Sequence, residues 1–263
     1  MSRSPWLRRL SPSASAAIFA LRANRYLAAV NTTRFPTNAA PDDITVADLL
    51  RPAVTRYAGF PIFGRHYPRC IFDFALDLFL GRPALLVEHH GYFRNGCGTL
   101  EEFVDGLYKL EPDLSWPTLT AQLMRSSLQR RLSNGSMEVR FFTRNFQFVN
   151  RTRSSDRFSL SKHEPDSALV ATVLVDGASV PFSFDKGLLK LEVQADPGQV
   201  RNIEVLDHEQ HLRQIDGFGV VHNSRVMLRR GLSEFRDNTL ARHGALLQVA
   251  TRVARGLKVT GGQ

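Results

Sequence analysis

The chain is poor in cysteine and has no long apolar run. Its 263 residues include only two cysteines, Cys70 and Cys97, which are too few for a disulfide framework. A reducing, cytoplasmic location is therefore the simpler expectation. No stretch approaches the roughly 18 consecutive apolar residues of a transmembrane helix, so we expect no transmembrane segment. The apolar residues 14–21 run into Arg22 without a cleavage site of small residues, which argues against a signal peptide.

Several motifs with known chemistry are also missing. The sequence contains no phosphate-binding loop, no dinucleotide-binding fingerprint and no serine nucleophile elbow. The spacing of His208 and His211 is one residue short of the i, i+4 pair that binds zinc on a metalloprotease helix. We interpret this pair as solvent-facing.

Positive charge is in excess but scattered. The chain has 34 Lys and Arg against 25 Asp and Glu, a formal net charge of +9. Most of the excess is Arg, and the basic residues form no long continuous run. Because no nucleic-acid-binding motif accompanies them, we expect solvated basic faces and no specific nucleic-acid partner. A scaffold for an acidic polymer is a weaker alternative, whose binding would fall steeply with salt.

The first half of the chain alternates helical and strand patterns, which is typical of a parallel α/β architecture. Helices are predicted at residues 14–23, 46–50, 71–80, 100–110 and 121–131, and strands at 26–30, 84–87 and 116–120. Gly81 is a natural stop for the third helix, and Thr99 is a natural cap for the fourth. The strands before residue 125 are too few for a closed eight-stranded barrel.

The pattern changes near residue 133 to short segments of alternating polarity, separated by turn pairs such as Asn134-Gly135 and Asp176-Gly177. Such spacing indicates an antiparallel β-sandwich. The fold class predicted is α/β plus all-β. The predicted organisation is an N-terminal arm and helix (1–25), a partial α/β barrel (26–130), a β-sandwich (133–206), and a linker with C-terminal helices (207–263).

The main candidate site follows the predicted strand 84–87, which runs into Glu88-His89-His90 and then Tyr92. In α/β folds, loops at the carboxyl ends of strands converge on one face and carry the chemistry. The residue types suggest a metal site or an acid–base site. Neighbouring side chains on an extended chain point opposite ways, so only one of the two histidines would face a given pocket. The alternative is that one histidine packs under the loop and the other is solvated.

A second cluster, Arg65-His66-Tyr67, lies in the loop after another short apolar segment. If the sheet brings it beside His89 and His90, the combined set suits a divalent metal or a sugar. Zinc would need three nearby nitrogen or oxygen ligands and an open position. The alternative is that His66 and Tyr67 close the end of the sheet.

Residues 84–93, the helix after them and the segment Trp116-Pro117-Thr118-Leu119-Thr120 resemble the last strand–helix–strand section of the polysaccharide deacetylases, a carbohydrate esterase family. In that family the final strand ends in a Leu-x-His-type motif whose histidine is a catalytic acid near a divalent metal. The resemblance covers about residues 26–130. It implies a deacetylase-type (β/α) barrel, with His89 or His90 as the catalytic histidine.

The sequence departs from this family in its metal-binding half. The family's Thr-Phe-Asp-Asp and His-x-x-x-His motifs are absent, and Asp42-Asp43 lacks a preceding strand. The resemblance therefore implies the C-terminal part of a deacetylase, incomplete as a catalyst alone. A truncated gene product, a split enzyme whose second chain supplies the missing half, and a degenerate carbohydrate-binding descendant would each fit. The alternative is a non-catalytic glycan-binding or assembly module in exopolysaccharide production.

The resemblance and the residue pattern together nominate a carbohydrate site, with zinc as the cofactor if the site is complete. The catalytic candidates are His89, His90 and Glu88, and the substrate-binding candidates are Arg65, His66, Tyr67 and Tyr92.

Overall fold

The computed structural model describes residues 12–32, 45–208, 224, 227 and 228. The chain divides into two compact units, Met1–Ile215 and Asp216–Gln263. The few residues described in the second unit are helical. Most of the predicted C-terminal helices lie outside the described residues, as does the acidic pair at positions 42 and 43.

The first unit mixes helices with β-sheets and is rich in antiparallel strands. The helices are α1 (Pro12–Ala23), α2 (Val46–Leu50), α3 (Ile71–Phe79), α4 (Gly98–Leu110) and α5 (Leu119–Arg125). The strands are β1 (Ala29–Asn31), β2 (Ala53–Tyr57), β3 (Phe60–Gly64), β4 (Ser127–Arg131), β5 (Met137–Phe141), β6 (Asn145–Val149), β7 (Asp156–His163), β8 (Val170–Val175), β9 (Ala178–Ser179), β10 (Ser183–Asp185), β11 (Leu188–Ala195) and β12 (Val200–Asp207).

The N-terminal sheet has three strands in the order β1-β3-β2, with β1 parallel and β2 antiparallel to β3. Ala58 and Gly59 connect β2 to β3 with positive φ angles of 50° and 73°, as a two-residue hairpin of the type I′ class requires. This mixed sheet is not a barrel by itself, so the partial deacetylase-type barrel stays a prediction.

Both faces of this sheet are covered, so every residue of β3 and every residue of β2 except Arg56 is buried. Alternate side chains point to opposite faces of a strand. On one face Val54 and Ile62 pack with Ile18 of α1. On the other face Phe63 packs with Leu123 of α5 and Phe142, which follows β5. The N-terminal sheet and the β-rich half therefore share a buried cluster within one unit.

The second half forms two facing sheets, ordered β10-β11-β7-β5-β4 and β6-β12-β8-β9. They enclose one core, to which both sheets contribute phenylalanines: Phe141, Phe146, Phe148 and Phe158. The predicted sandwich is thus present. Its strands pair antiparallel except for β5 and β7, which run parallel.

Three local predictions were wrong. Cys97, and not Thr99, occupies the N-cap position of α4. The segment 116–120 has no strand partner; Thr118 instead caps α5 by accepting a hydrogen bond from the Ala121 amide. The helix predicted to run to residue 131 ends at Arg125, because residues 127–131 pair with β5 as an edge strand. Tertiary pairing here overrides the helical propensity of a polar segment.

Candidate functional site

A parallel bridge joins the two candidate motifs. His66 donates its backbone N–H to the carbonyl of Leu85 at 2.9 Å, and Val87 donates to the carbonyl of His66 at 3.0 Å. Because the two segments run in the same direction, the residues that follow them emerge at the same edge. The structure therefore brings the cluster at 65–67 beside the cluster at 88–90. The predicted strand 84–87 is reduced to this one bridge.

Tyr67 and His89 meet at this edge. The Tyr67 hydroxyl lies 3.2 Å from Nε2 of His89, and their ring centroids are 5.9 Å apart. The Arg69 guanidinium lies 5.0 Å from the centroid of the Tyr67 ring, which suits a cation–π contact. The His89 backbone N–H donates to Oε2 of Glu88 at 3.0 Å. We call Tyr67, Arg69, Glu88 and His89 the Tyr67–His89 edge.

His66 turns away from this edge towards α3. Its Nε2 lies 3.1 Å from Oδ2 of Asp77, and its ring packs edge-on against Phe74 with centroids 5.6 Å apart. Asp77 in turn accepts a hydrogen bond of 3.0 Å from Nη1 of Arg82, and Arg82 also donates to the carbonyl of Leu49. These contacts give His66 a structural partner and match the alternative in which it closes the end of the sheet.

The sequence analysis missed Asp77 and Arg82. Both side chains are nearly excluded from solvent, at 4% and 7% exposure. The signal was the pair of acidic residues, Asp73 and Asp77, in the strongly apolar sequence of α3, since a carboxylate that becomes buried needs a cationic partner.

The other predicted residues are not gathered by direct contacts at the Tyr67–His89 edge. His90 is exposed and begins a short 3-10 helix, His90–Asn95. Tyr92 packs edge-on against Phe93, and its buried hydroxyl has no hydrogen-bond partner among the described residues. Arg65 donates its backbone N–H to Asn31, while its Nε is buried and likewise unpartnered in that part of the chain.

The described residues do not fit a zinc centre. Within residues 12–32 and 45–208, no group of three or more His, Cys, Asp or Glu side chains is placed to hold a metal ion. Glu88 contacts the backbone N–H of His89 and not its ring, and the ring of His66 is held by Asp77. A catalytic zinc needs three protein ligands, and the described residues do not supply such a set.

A group of buried charges lies elsewhere in the unit and was also missed. Glu164 accepts from Lys162 at 2.6 Å, from Arg144 at 3.1 Å and from Arg22 at 3.3 Å. Asp207 binds the same two arginines, with Arg22 Nε 2.8 Å from its Oδ2 and Arg144 Nη1 2.5 Å from its Oδ1. We call these five residues the buried ion cluster. It ties α1 to the sandwich.

Burial and the neighbouring charges shift the pKa values of Glu164 and Lys162 in this cluster. Burial alone would raise the pKa of Glu164, but Lys162, Arg144 and Arg22 outweigh it and lower that pKa to about 2. Burial lowers the pKa of Lys162 to about 8, against the attraction of Glu164. The ammonium also donates to the carbonyls of Gly59 and His163, so all its hydrogens have acceptors. These contacts assign Lys162 a structural role.

The comparisons with protein-family models, with curated proteins and with solved structures found no match for this chain. Among the described residues, no helix combines the length and apolar character needed to cross a membrane. Both cysteines are free and exposed.

Proposed function

We propose that the chain is a carbohydrate-active protein similar to the C-terminal part of a polysaccharide deacetylase, incomplete as a catalyst alone, and that it binds glycan at the Tyr67–His89 edge. The observation that carries the proposal is the 3.2 Å contact between the Tyr67 hydroxyl and Nε2 of His89. It joins the two motifs that the sequence nominated independently.

The chemistry of this edge suits a sugar. A pyranose presents hydroxyl groups that donate and accept hydrogen bonds, and apolar C–H faces that pack on aromatic rings. Tyr67 offers a ring and a hydroxyl, and the exposed His89 offers a ring nitrogen. The guanidinium of Arg69 over the tyrosine ring restrains the aromatic platform. Glu88, half-buried beside the His89 amide, adds carboxylate acceptors for sugar hydroxyls.

His89 is our candidate for the histidine that the family resemblance nominates. It contacts Tyr67, whereas His90 makes no such contact within the described residues. The metal ligands of a complete deacetylase would have to come from residues other than those described, with a second chain as the proposed source. Without them, His89 would serve to bind and orient a sugar.

The first test is binding. The full chain would be screened on an array of acetylated and deacetylated oligosaccharides, and the best ligand titrated by calorimetry. We expect saturable binding that falls about tenfold in His89→Ala and Tyr67→Phe, as the loss of one hydrogen bond in a desolvated contact would cause. His90→Ala is the matched contrast and should bind as the wild type does. Absence of any glycan ligand, or equal binding by all variants, would overturn the proposal.

The second test separates an incomplete enzyme from the alternative, a non-catalytic glycan-binding module in exopolysaccharide production. The absence of a three-ligand group within the described residues favours the module. Acetate release from the bound acetylated ligand would be measured with and without added Zn²⁺. Zinc-dependent release that His89→Ala abolishes would establish the enzyme, while glycan binding without release would establish the module.

A further inference from the structure

A cavity of about 210 Å³ lies between the N-terminal sheet and the sandwich. Thr55 of β2 and His163 at the end of β7 form part of its wall, and Leu188 of β11 adds an apolar surface. Its volume is below the roughly 300–1,000 Å³ of sites for drug-sized ligands. The space therefore suits a small molecule or one group of a larger ligand. None of the residues in the Tyr67–His89 edge lines it.

The charged side chains that line the cavity are all basic. They are Arg51 after α2, Arg140 on β5, and Lys186 in the turn between β10 and β11. Within the described residues, neither Arg140 nor Lys186 forms a salt bridge. The carboxylate of Asp185, next to Lys186, instead holds Lys190 at 2.6 Å. Arg51 has a partner at its outer side, since its Nη1 lies 3.6 Å from Oδ1 of Asp48.

Arg51 and Arg140, which both line the cavity, repel each other. Burial and the charge of Arg140 lower the pKa of Arg51, and Asp48 only partly opposes them. Burial also lowers the pKa of His163, which disfavours the charged form of its ring. Its Nδ1 lies 3.0 Å from the carbonyl of Thr55, which fixes the orientation of the ring. An anion between Arg51 and Arg140 would relieve their repulsion, and guanidinium groups bind carboxylate and phosphate oxygens in pairs.

We propose that this cavity is a binding site for a small oxyanion group, a carboxylate or a phosphate, held by Arg51, Arg140 and Lys186. Leu188, which also lines the cavity and is only partly buried, would contact the uncharged part of the ligand. The proposal goes beyond glycan binding at the Tyr67–His89 edge and does not depend on it.

The test uses the full chain, titrated by calorimetry at low ionic strength with inorganic phosphate, sodium glucuronate and glucose. We expect saturable binding of at least one anion and none of glucose. The double variant Arg140→Gln, Lys186→Asn should bind about tenfold more weakly or worse, because two charge-assisted contacts are lost. Whichever of phosphate and glucuronate binds with the higher affinity shows whether the site prefers a phosphate or a carboxylate group.

Arg131→Gln is the matched control, since it removes one exposed positive charge on β4 that does not line the cavity. It should retain wild-type affinity. The single variant Lys186→Asn is measured as well, in case the double variant does not fold. Lys186 is exposed and has a φ of 50°, which asparagine tolerates, so this variant should keep the fold. No saturable binding of either anion, or equal affinity in the wild type and both cavity variants, would overturn the proposal.

Discussion

The ammonium nitrogen of Lys162 lies 2.6 Å from Oε1 of Glu164, and both side chains are fully excluded from solvent. Two residues apart on one chain segment, they form the centre of a cluster that also binds Arg22 and Arg144. A buried charge is tolerated only when it is paired and hydrogen-bonded. The cluster therefore makes the stability of the unit depend on each of its carboxylates.

Replacing Glu164 by glutamine should be strongly destabilising. Arg22, Arg144 and Lys162 would then share Asp207 as the one carboxylate of the cluster. Leaving such charges uncompensated costs about 3–5 kcal/mol of unfolding free energy. Urea unfolding followed by circular dichroism measures the loss. Glu192→Gln, at an exposed position of β11, is the control and should change the unfolding free energy by less than about 0.5 kcal/mol. Similar losses in the two variants would contradict a special role for Glu164.

The lowered pKa of Glu164 leads us to expect that the protein loses stability in acid. The ordinary pKa of Glu164 is 4.5, and the folded state lowers it to about 2. A lowered carboxyl pKa contributes stability that is fully present above the ordinary pKa and disappears as the pH falls towards the folded value. Asp48, whose pKa is lowered to about 2 mainly by Arg56 and Thr45 against the effect of burial, acts in the same direction.

We therefore expect the unfolding free energy to decline between about pH 4.5 and pH 2. Urea midpoints measured at neutral pH and across this acidic window test the expectation. The decline should be smaller in Glu164→Gln, which has lost the titrating group. An equal decline in the variant would show that other carboxyls cause it.

Gly59 is predicted to resist substitution. An added Cβ there would lie 2.9 Å from the carbonyl oxygen of His163 and 3.0 Å from Oε2 of Glu164, at a φ of 73°. Gly135 has a similar φ of 84° but open space around it. Both alanine variants carry the backbone strain, and only Gly59→Ala adds the clash. We expect Gly59→Ala to lose about 1–3 kcal/mol more than Gly135→Ala in thermal or urea unfolding.

Phe141 should be a major contributor to the sandwich core. Its ring stacks on that of Phe146 with centroids 4.9 Å apart, and the residue is fully buried. Phe141→Ala is expected to lower the unfolding free energy by about 3–5 kcal/mol. Phe79→Ala, at a position of α3 that is 86% exposed, is the control. It should have little effect, and an equal loss in both would mean that the packing around Phe141 is not the cause.

The sequence predicted those parts of the structure that depend on local pattern. The alternation in the second half predicted a sandwich. Apolar segments ending in polar loops nominated the clusters at residues 65–67 and 88–90, but the sequence alone did not decide whether they meet; the bridge between His66 and Leu86 brings them together. The parallel pairing of β5 with β7 was missed because the alternation of polar and apolar residues in one strand does not show which strand it pairs with.

Contacts between distant residues explain the larger omissions. The buried ion cluster is assembled from positions as far apart as Arg22 and Asp207, and no motif links them. The contact of the His66 ring with Asp77 was not foreseen either, and the substrate-binding role of His66 stays a prediction. The local pattern of residues 127–131 predicted a helix. These residues instead form the edge strand β4, because they pair with β5, and the local pattern does not reveal that pairing.

Arg22 and Asp207 are separated by 185 positions along the chain, yet their side chains form two hydrogen bonds of 2.8 Å. During synthesis from the N-terminus, α1 is made long before β12. Until β12 leaves the ribosome, the guanidinium of Arg22 lacks the carboxylate of Asp207. Ile18 of α1 can pack on Val54 and Ile62 earlier, but the hydrogen bonds of Arg22 to Asp207 can form only after β12 is made, so the attachment of α1 is completed late in the synthesis of this unit.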